Sequence, residues 1–194
     1  MLKEKILLIG GGGHCKSVID VIEQQNRFEI AGIVDKKELI GESVLGYEVI
    51  ACDTQLKELR EEYKYAVITV GQVKDVSIRK KLYENLKDIG FELPVIISPR
   101  AYVSKHAIIA EGAVIMHDVL INASTVIMEN CIINSKALIE HDAIIEKHCH
   151  ISTGAIINGG VEVGEDSFIG SNVVTKQYIK IKKNSFVKAG SLQV

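Results

Sequence analysis

The chain has 194 residues, room for one large or two small domains, and carries 23 basic against 25 acidic side chains. That balance leaves no basic footprint for nucleic acid or an anionic membrane surface. Hydrophobic residues make up 47% but aromatics only 5%, and tryptophan is absent, so the expected core is built of thin aliphatic layers, as regular β stacking provides.

The opening "MLKEKILLIGGGGH" runs from a short apolar stretch straight into glycines. It shows no signal-peptide cleavage pattern, and no uncharged stretch approaches about 20 residues, so the sequence reads as soluble and cytoplasmic, with no membrane partner. The strand Lys5–Ile9 leads through the glycine turn into "CKSVIDVIEQQ", where Val18, Ile19 and Ile22 share a helical face. "FEIAGIVD" alternates as a strand, and "TQLKELREEY" is a helix with Asp53 or Thr54 as N-cap. "AVITVG" is a buried strand, "DVSIRKKLYENLKDIG" a helix stopped by Gly90, and "FELPVI" closes the unit. Strands alternating with helices predict a Rossmann-like α/β domain with a parallel sheet.

The turn after the first strand is where such sheets take ligands, because backbone N–H groups and the helix N-terminus attract phosphate. It is not a clean dinucleotide fingerprint, since reading G-x-G-x-x-G from Gly10 puts Cys15 at the third glycine. A bare tight turn and a nucleotide-phosphate site both fit. Asp35, ending the second strand, is placed to accept hydrogen bonds from sugar hydroxyls, and Lys36 to offset phosphate charge. Each is equally a common solvated loop residue.

From Val103 a period of six takes over. Aliphatic residues recur at Val103, Ile109, Ile115 and onward in one phase to Val187, broken only at Thr175, and a mostly small residue follows each by four, as at Ala107, Ala113 and Cys131. Residues 103–192 hold fifteen hexads without an insertion. A period of six matches neither the helical 3.6 nor the strand period of 2. It fits a coil of three short faces per turn, with aliphatics inward, small residues at the corners, and about five turns stacked as parallel strands. Cys131 and Cys149, 18 residues apart in the same small slot, stack as packing thiols; with no CxxC pair among four cysteines, all are expected to be reduced.

These hexads resemble those of the hexapeptide-repeat acyltransferases, whose fold is a left-handed parallel β-helix. With "GGGGHCKSVID", "IVDK", "VGQVKDVSIRKKL" and "NSKALIEHDAIIEKHCHIS", the whole chain resembles bacterial sugar acetyltransferases. That family includes enzymes N-acetylating nucleotide-linked 4-amino-6-deoxy sugars, as in the bacillosamine pathway, and sialic-acid O-acetyltransferases. The resemblance implies a nucleotide-sugar-binding domain over 1–97 and a β-helix acetyltransferase domain over 98–194. It also implies a homotrimer with sites between neighbouring β-helices, acetyl-CoA as cosubstrate, and no metal.

Acetyl transfer needs a nucleophile stripped of its proton, and a neutral imidazole suits that task. His141 follows an inward isoleucine by two residues, so it leaves the core near a corner; Glu140 and Asp142 flank it, and either is able to hold the ring in one tautomer. One turn on, Gly159 beside Gly160 is expected to leave space for a thioester. The resemblance puts the catalytic base at His141 and an asparagine near the acceptor at Asn134. It implies coenzyme contacts at His150, through the thioester carbonyl, and along the backbone at Ser171 and Ala189; the side-chain-free layer at Gly159 is expected to let the same cosubstrate approach. Gly12, Gly13, His14, Asp35, Lys36 and Gly71 match positions that hold the nucleotide sugar. His150 also breaks the repeat, filling a slot that is aliphatic in most hexads, such as Ile132, Leu138 and Ile144. His106, His117 and His148 match nothing and read as exposed corners. After the last hexads "KAGSLQV" departs from the family's G-x-P-A turn, which weakens the expectation for the adenine end of the coenzyme.

Two other classes compete. A γ-carbonic-anhydrase-like hydrolase would use His141, His148 and His150 as metal ligands, but leaves the first domain unexplained. A non-catalytic trimeric scaffold leaves a histidine bracketed by acids unexplained. Within the enzyme class, His14 and the phosphate-type loop favour N-acetylation of a nucleotide-linked amine over sialic-acid-type O-acetylation.

Overall fold

The computed structural model describes residues 3–73 and 75–194. The chain forms two compact units, Met1–Gly71 with Ser77–Pro94, and Gln72–Val76 with Val95–Val194.

The first unit contains strands β1 (Glu4–Ile9), β2 (Phe28–Asp35), β3 (Ser43–Val44), β4 (Tyr47–Cys52) and β5 (Tyr65–Ile68), with helices α1 (Gly13–Gln25), α2 (Leu56–Glu62) and α3 (Ser77–Ile89). The sheet order is β3-β4-β2-β1-β5, all parallel except the short β3 hairpin against β4. Ile6 to Ile9 are buried at both alternations because helices cover both faces of a parallel sheet. Val18, Ile19 and Ile22 of α1 are fully buried, as the helical spacing predicts. Helix α3 ends at Gly90 (φ +97°), whose N–H reaches back to the carbonyls of Leu86 and Lys87.

Three details differ from the sequence reading. Strand β4 was not anticipated; its Val49 and Ala51 alternate inward, but the run is only six residues long. Helix α2 starts at Leu56 after a 3₁₀ turn, and neither Asp53 nor Thr54 caps it. Instead Gln55 reaches back to the Cys52 N–H at 3.1 Å. "FELPVI" splits, with Phe91 and Leu93 in the first core and Ile96–Ile97 pairing with Val114–Ile115 of the second unit.

The second unit is a parallel β-helix. Two-residue strands stack into three parallel sheets of six, five and six strands. Each strand pairs with the one 18 residues on, for example Ile132 with His150 and His150 with Phe168. Ile115, Ile121, Ile127, Ile133, Ile139 and Ile145 are fully buried, which is the inward aliphatic column. Every sixth residue from Gly112 to Gly190 has a left-handed backbone, φ 56–70°. That conformation turns the corner and explains why Gly, Asn and Asp dominate this phase. Four residues of the small slot also donate to the carbonyl 15 residues on. Thr125, Cys131, Cys149 and Ser167 donate to the carbonyls of Glu140, Glu146, Gly164 and Lys182 at 3.0, 3.1, 3.2 and 3.1 Å. A small side chain with a donor both fits the corner and satisfies a carbonyl there. Among the described residues, no helix is long and apolar enough to cross a membrane.

Candidate active site

The corner Glu140–Ala143 carries one cluster. Asp142 sits at the left-handed position (φ 61°), and its Oδ2 lies 2.8 Å from His141 Nδ1. A carboxylate only accepts, so Nδ1 carries the hydrogen, and in the neutral ring Nε2 presents its lone pair. Both side chains are about half exposed, at 48% and 59%. Glu140 faces elsewhere, its Oε2 accepting from Asn122 Nδ2 at 2.9 Å and from the His141 main-chain N–H at 3.4 Å. Of the two flanking acids, Asp142 therefore holds the ring.

A Cβ on Gly159 would stand 2.8 Å from both Cε1 and Nε2 of His141. The sequence reading reserves that space for a thioester, whereas the structure fills it with the imidazole itself. Gly160 is used in the same way from the following coil, since a Cβ there would run into the Tyr178 ring. Sequence reasoning missed Tyr178, although an aromatic residue in a phase dominated by Gly, Asn and Asp is a visible exception.

The coil beneath His141 is also irregular. Elsewhere a corner N–H bonds the carbonyl 17 residues on, as from Glu140 to Ile157 at 2.9 Å. At Asn158 the N–H instead reaches Thr175 Oγ1 at 2.9 Å, while Asn158 Nδ2 takes over the Thr175 carbonyl at 2.5 Å. Thr175, the one break in the aliphatic column, is thus a buried acceptor for the residue preceding Gly159.

A second cluster lies at the neighbouring corner. His150 is 6% exposed. Its Nε2 faces Asn134 Nδ2 at 3.2 Å, its Nδ1 faces the Gln72 carbonyl at 2.5 Å, and its ring meets Phe168 edge-on. Two further coenzyme candidates share this corner on later coils: the Ser171 carbonyl accepts the Gly190 N–H at 2.8 Å, and the Ala189 backbone packs where a Gly170 side chain would be. Ser171 Oγ pairs with Ser152 Oγ at 3.0 Å. Within one chain, then, His141, Asp142 and Gly159 meet at one corner, and Asn134, His150, Ser171 and Ala189 line another.

In the first unit, Asp35 spends its carboxylate on its own loops: Oδ2 accepts the Gly11 N–H at 2.5 Å and Oδ1 the Lys36 N–H at 2.7 Å. A Cβ on Gly12 or Gly13 would meet open space. Helix α1 has no capping side chain and no acidic residue in its first turn, so no carboxylate offsets the positive end of the helix there. Gly71 packs against His14, its Cβ position 3.5 Å from the histidine's own. The buried Arg79, which sequence reasoning missed, donates to the carbonyls of Ile68 and Val70 and holds the strand end that leads to Gly71.

The remaining histidines correct the sequence reading. His106 is exposed as expected, but His148 is only 4% exposed with Nδ1 3.0 Å from Asn130 Nδ2, and His117 is half-buried with Nδ1 2.7 Å from Ser98 Oγ. His141, His148 and His150 face different partners, and among the described residues no three His, Cys, Asp or Glu side chains converge as a metal site. Two of the cysteines are poor nucleophiles. Burial pushes the Cys15 thiol up to about 11, and hydrogen bonding from Cys131 together with burial pushes Cys149 up as well. Both remain protonated.

Comparison with known proteins bears on both units. The PglD N-terminal domain family model matches residues 5–86, and the bacterial transferase hexapeptide (six repeats) model matches residues 142–177. A curated relative, the UDP-N-acetylbacillosamine N-acetyltransferase of Bacillus subtilis (strain 168), is 33% identical over 117 residues. The match covers 58% of this chain and 51% of that protein, so the chain spans about half the length of this relative. A histidine-to-asparagine variant of perosamine N-acetyltransferase from Caulobacter crescentus, crystallised with CoA and GDP-perosamine, superposes with a TM-score of 0.92 at 33% identity, over 98% of this chain and 88% of that one. The acetyltransferase domain of PglB from Neisseria gonorrhoeae FA1090, in complex with acetyl coenzyme A, gives 0.88 at 32% identity over 97% and 90%. Rossmann-like unit, hexad coil and these similarities agree: the chain belongs to the left-handed β-helix, hexapeptide-repeat family of bacterial sugar acetyltransferases with a PglD-type N-terminal domain.

Proposed function

We propose that the chain is an acetyl-CoA-dependent N-acetyltransferase acting on the amine of a nucleotide-activated 4-amino-6-deoxy sugar, with His141 as general base. The observation that carries this reading is the His141–Asp142 pair at 2.8 Å, laid over Gly159 with Nε2 left as acceptor. The neutral amine attacks the thioester carbonyl carbon, a C–N bond forms, and one amine proton passes to Nε2. Asp142 stabilises the imidazolium that results. Collapse breaks the C–S bond, and the departing thiolate takes that proton. A base so placed supplies about 10² to 10⁴ in rate. Relatives crystallised with CoA, acetyl-CoA and GDP-perosamine support the same two classes of substrate here.

The open N-terminus of α1 at Gly12 and Gly13 is the phosphate site we assign to the nucleotide. Because Asp35 is committed to loop N–H groups, its role is to shape that loop, with remaining lone pairs for a hydroxyl. We further propose a homotrimer. A threefold arrangement of β-helices sets the His141 corner of one subunit against the Asn134 corner of the next, completing a site that one chain divides between two corners. The compartment we assign is the cytoplasm, where acetyl-CoA and nucleotide sugars are made.

The test is CoA release with acetyl-CoA and a panel of acceptors, namely UDP-, GDP- and dTDP-linked 4-amino sugars beside free and CMP-linked sialic acids, together with the mass in solution. Turnover of one nucleotide-linked amine by a trimer is the expected result. Turnover of sialic acids alone would overturn N-acetylation.

A further inference from the structure

Three hydrogen bonds in series cross the second cluster and end on main chain at both sides. The Ser135 N–H donates to Asn134 Oδ1 at 2.8 Å. With its oxygen committed, the Asn134 carboxamide turns Nδ2 toward His150 Nε2, 3.2 Å away. An amide nitrogen only donates, so Nε2 must carry a lone pair. On the far side of the ring, His150 Nδ1 faces the carbonyl of Gln72, which only accepts, so Nδ1 carries the hydrogen. The two ends independently impose the same neutral tautomer. An edge-on contact with Phe168, 5.2 Å between centroids, fixes the ring plane. Aliphatic residues fill the equivalent slot above it at Ile132 and Val114, so packing alone does not call for an imidazole there.

We infer that His150 is a positioning residue: as the Nδ1–H tautomer it holds the Asn134 carboxamide in one orientation, so that the second Nδ2 hydrogen is what a bound substrate meets. In that state Nδ1–H is spent on Gln72 and Nε2 has no hydrogen. The ring has no N–H to give a thioester carbonyl, and the coenzyme contact that family resemblance suggests for His150 passes to Asn134. The term substrate rests on the acetyl-transfer reading; the tautomer does not.

Two measurements test this. In protein carrying ¹⁵N-histidine, with His150→Ala to assign the signal, long-range ¹H–¹⁵N correlation should show a pyrrole-type Nδ1 and a pyridine-type Nε2 for His150, with and without CoA. A hydrogen on Nε2 overturns the inference. In kinetics, Asn134→Ala and His150→Ala should each lower kcat about tenfold, the loss of one oriented hydrogen bond. The double variant should be no slower than the slower single one, whereas losses that multiply to about a hundredfold mean that His150 touches substrate itself and overturn the inference. His150→Gln, whose Oε1 replaces Nε2 as acceptor, should recover kcat to within about threefold, and His150→Asn, which reaches only the Gln72 side, should not. If the unaltered protein shows the tautomer but acetylates no acceptor, the hydrogen-bonded chain is upheld and the transferase reading alone is overturned.

Discussion

His141 and His150 stand nine residues apart in one coil of the β-helix, yet their surroundings ask opposite things of the same side chain. His141 is about half exposed, has one nitrogen held by Asp142, and keeps the other as a free-standing acceptor. His150 is buried, with both nitrogens engaged by groups whose donor or acceptor character is fixed. The first arrangement lets a ring gain and lose a proton with solvent access and a counter-charge beside it. The second admits a proton at Nε2 only by breaking the bond from Asn134, while Nδ1 stays tied to the Gln72 carbonyl, so the ring works as a strut. Residue type alone therefore does not separate base from brace; the count of committed nitrogens does.

The sharpest way to break this contrast is at His141. His141→Ala should lower kcat by about 10² to 10⁴ with the solution mass and circular dichroism unchanged. Activity within a few-fold of the unaltered protein would leave the exposed histidine no special role. Next in size is the acid that sets the tautomer. Asp142→Asn should cost about 10- to 100-fold in kcat, less than for a buried triad because the pair is exposed. Glu140→Gln, facing Asn122 instead, should stay within about threefold. A reversed order in that kinetic comparison would transfer the orienting role to Glu140.

What made these two corners readable to different degrees is physical. The hexad coil was legible because every turn imposes the same demand on the same phase, and from Ile115 to Ile169 it is met each time by a fully buried isoleucine or valine. The exposed, acid-flanked setting of His141 was legible for the same reason, because its distance from an inward isoleucine fixes its direction. Gly159 was legible only as an absence, and an absence does not say what fills it. The anchor of His150 left no trace at all, since a main-chain carbonyl at Gln72 has no residue signature. His148 was misjudged because the left-handed corner phase is usually solvent-facing, whereas here the ring packs beneath Asn130. In the first unit β1, β2 and the glycine turn were plain, but β4 escaped because its alternation is short.

A smaller effect follows from the glycine that the His141 ring lies on. Gly159→Ala places a Cβ 2.8 Å from Cε1 and Nε2, and a half-exposed ring relieves that by swinging outward. Gly159 itself is buried, so stability should fall by about 1 kcal/mol, the ordinary cost of a point substitution. Misplacing a proton acceptor is costlier, so kcat should drop about tenfold or more. Equal loss of Tm and rate would mean that Gly159 serves the coil rather than the base.

The mildest change concerns the brace under that glycine. Thr175→Val keeps the shape of a buried β-branched side chain but removes the oxygen that receives the Asn158 N–H. If the corner stays as it is, a partly buried N–H loses its partner at about 1 to 2 kcal/mol, which for a chain of this size lowers Tm by about 2 to 8 °C. The main chain has a second option, because the Thr175 carbonyl held by Asn158 Nδ2 stands where the regular ladder would use it. Taking that option draws the 158–160 corner into the ordinary hexad path and carries Gly159 away from the imidazole. Tm would then hold or rise while kcat drops about two- to threefold, a small loss by the scale of misplaced catalytic groups. A fall in Tm with kcat unchanged would show that the break in the aliphatic column serves stability alone; a fall in kcat with Tm preserved would show that the coil gives up a regular ladder bond at Thr175 to keep Gly159 under His141.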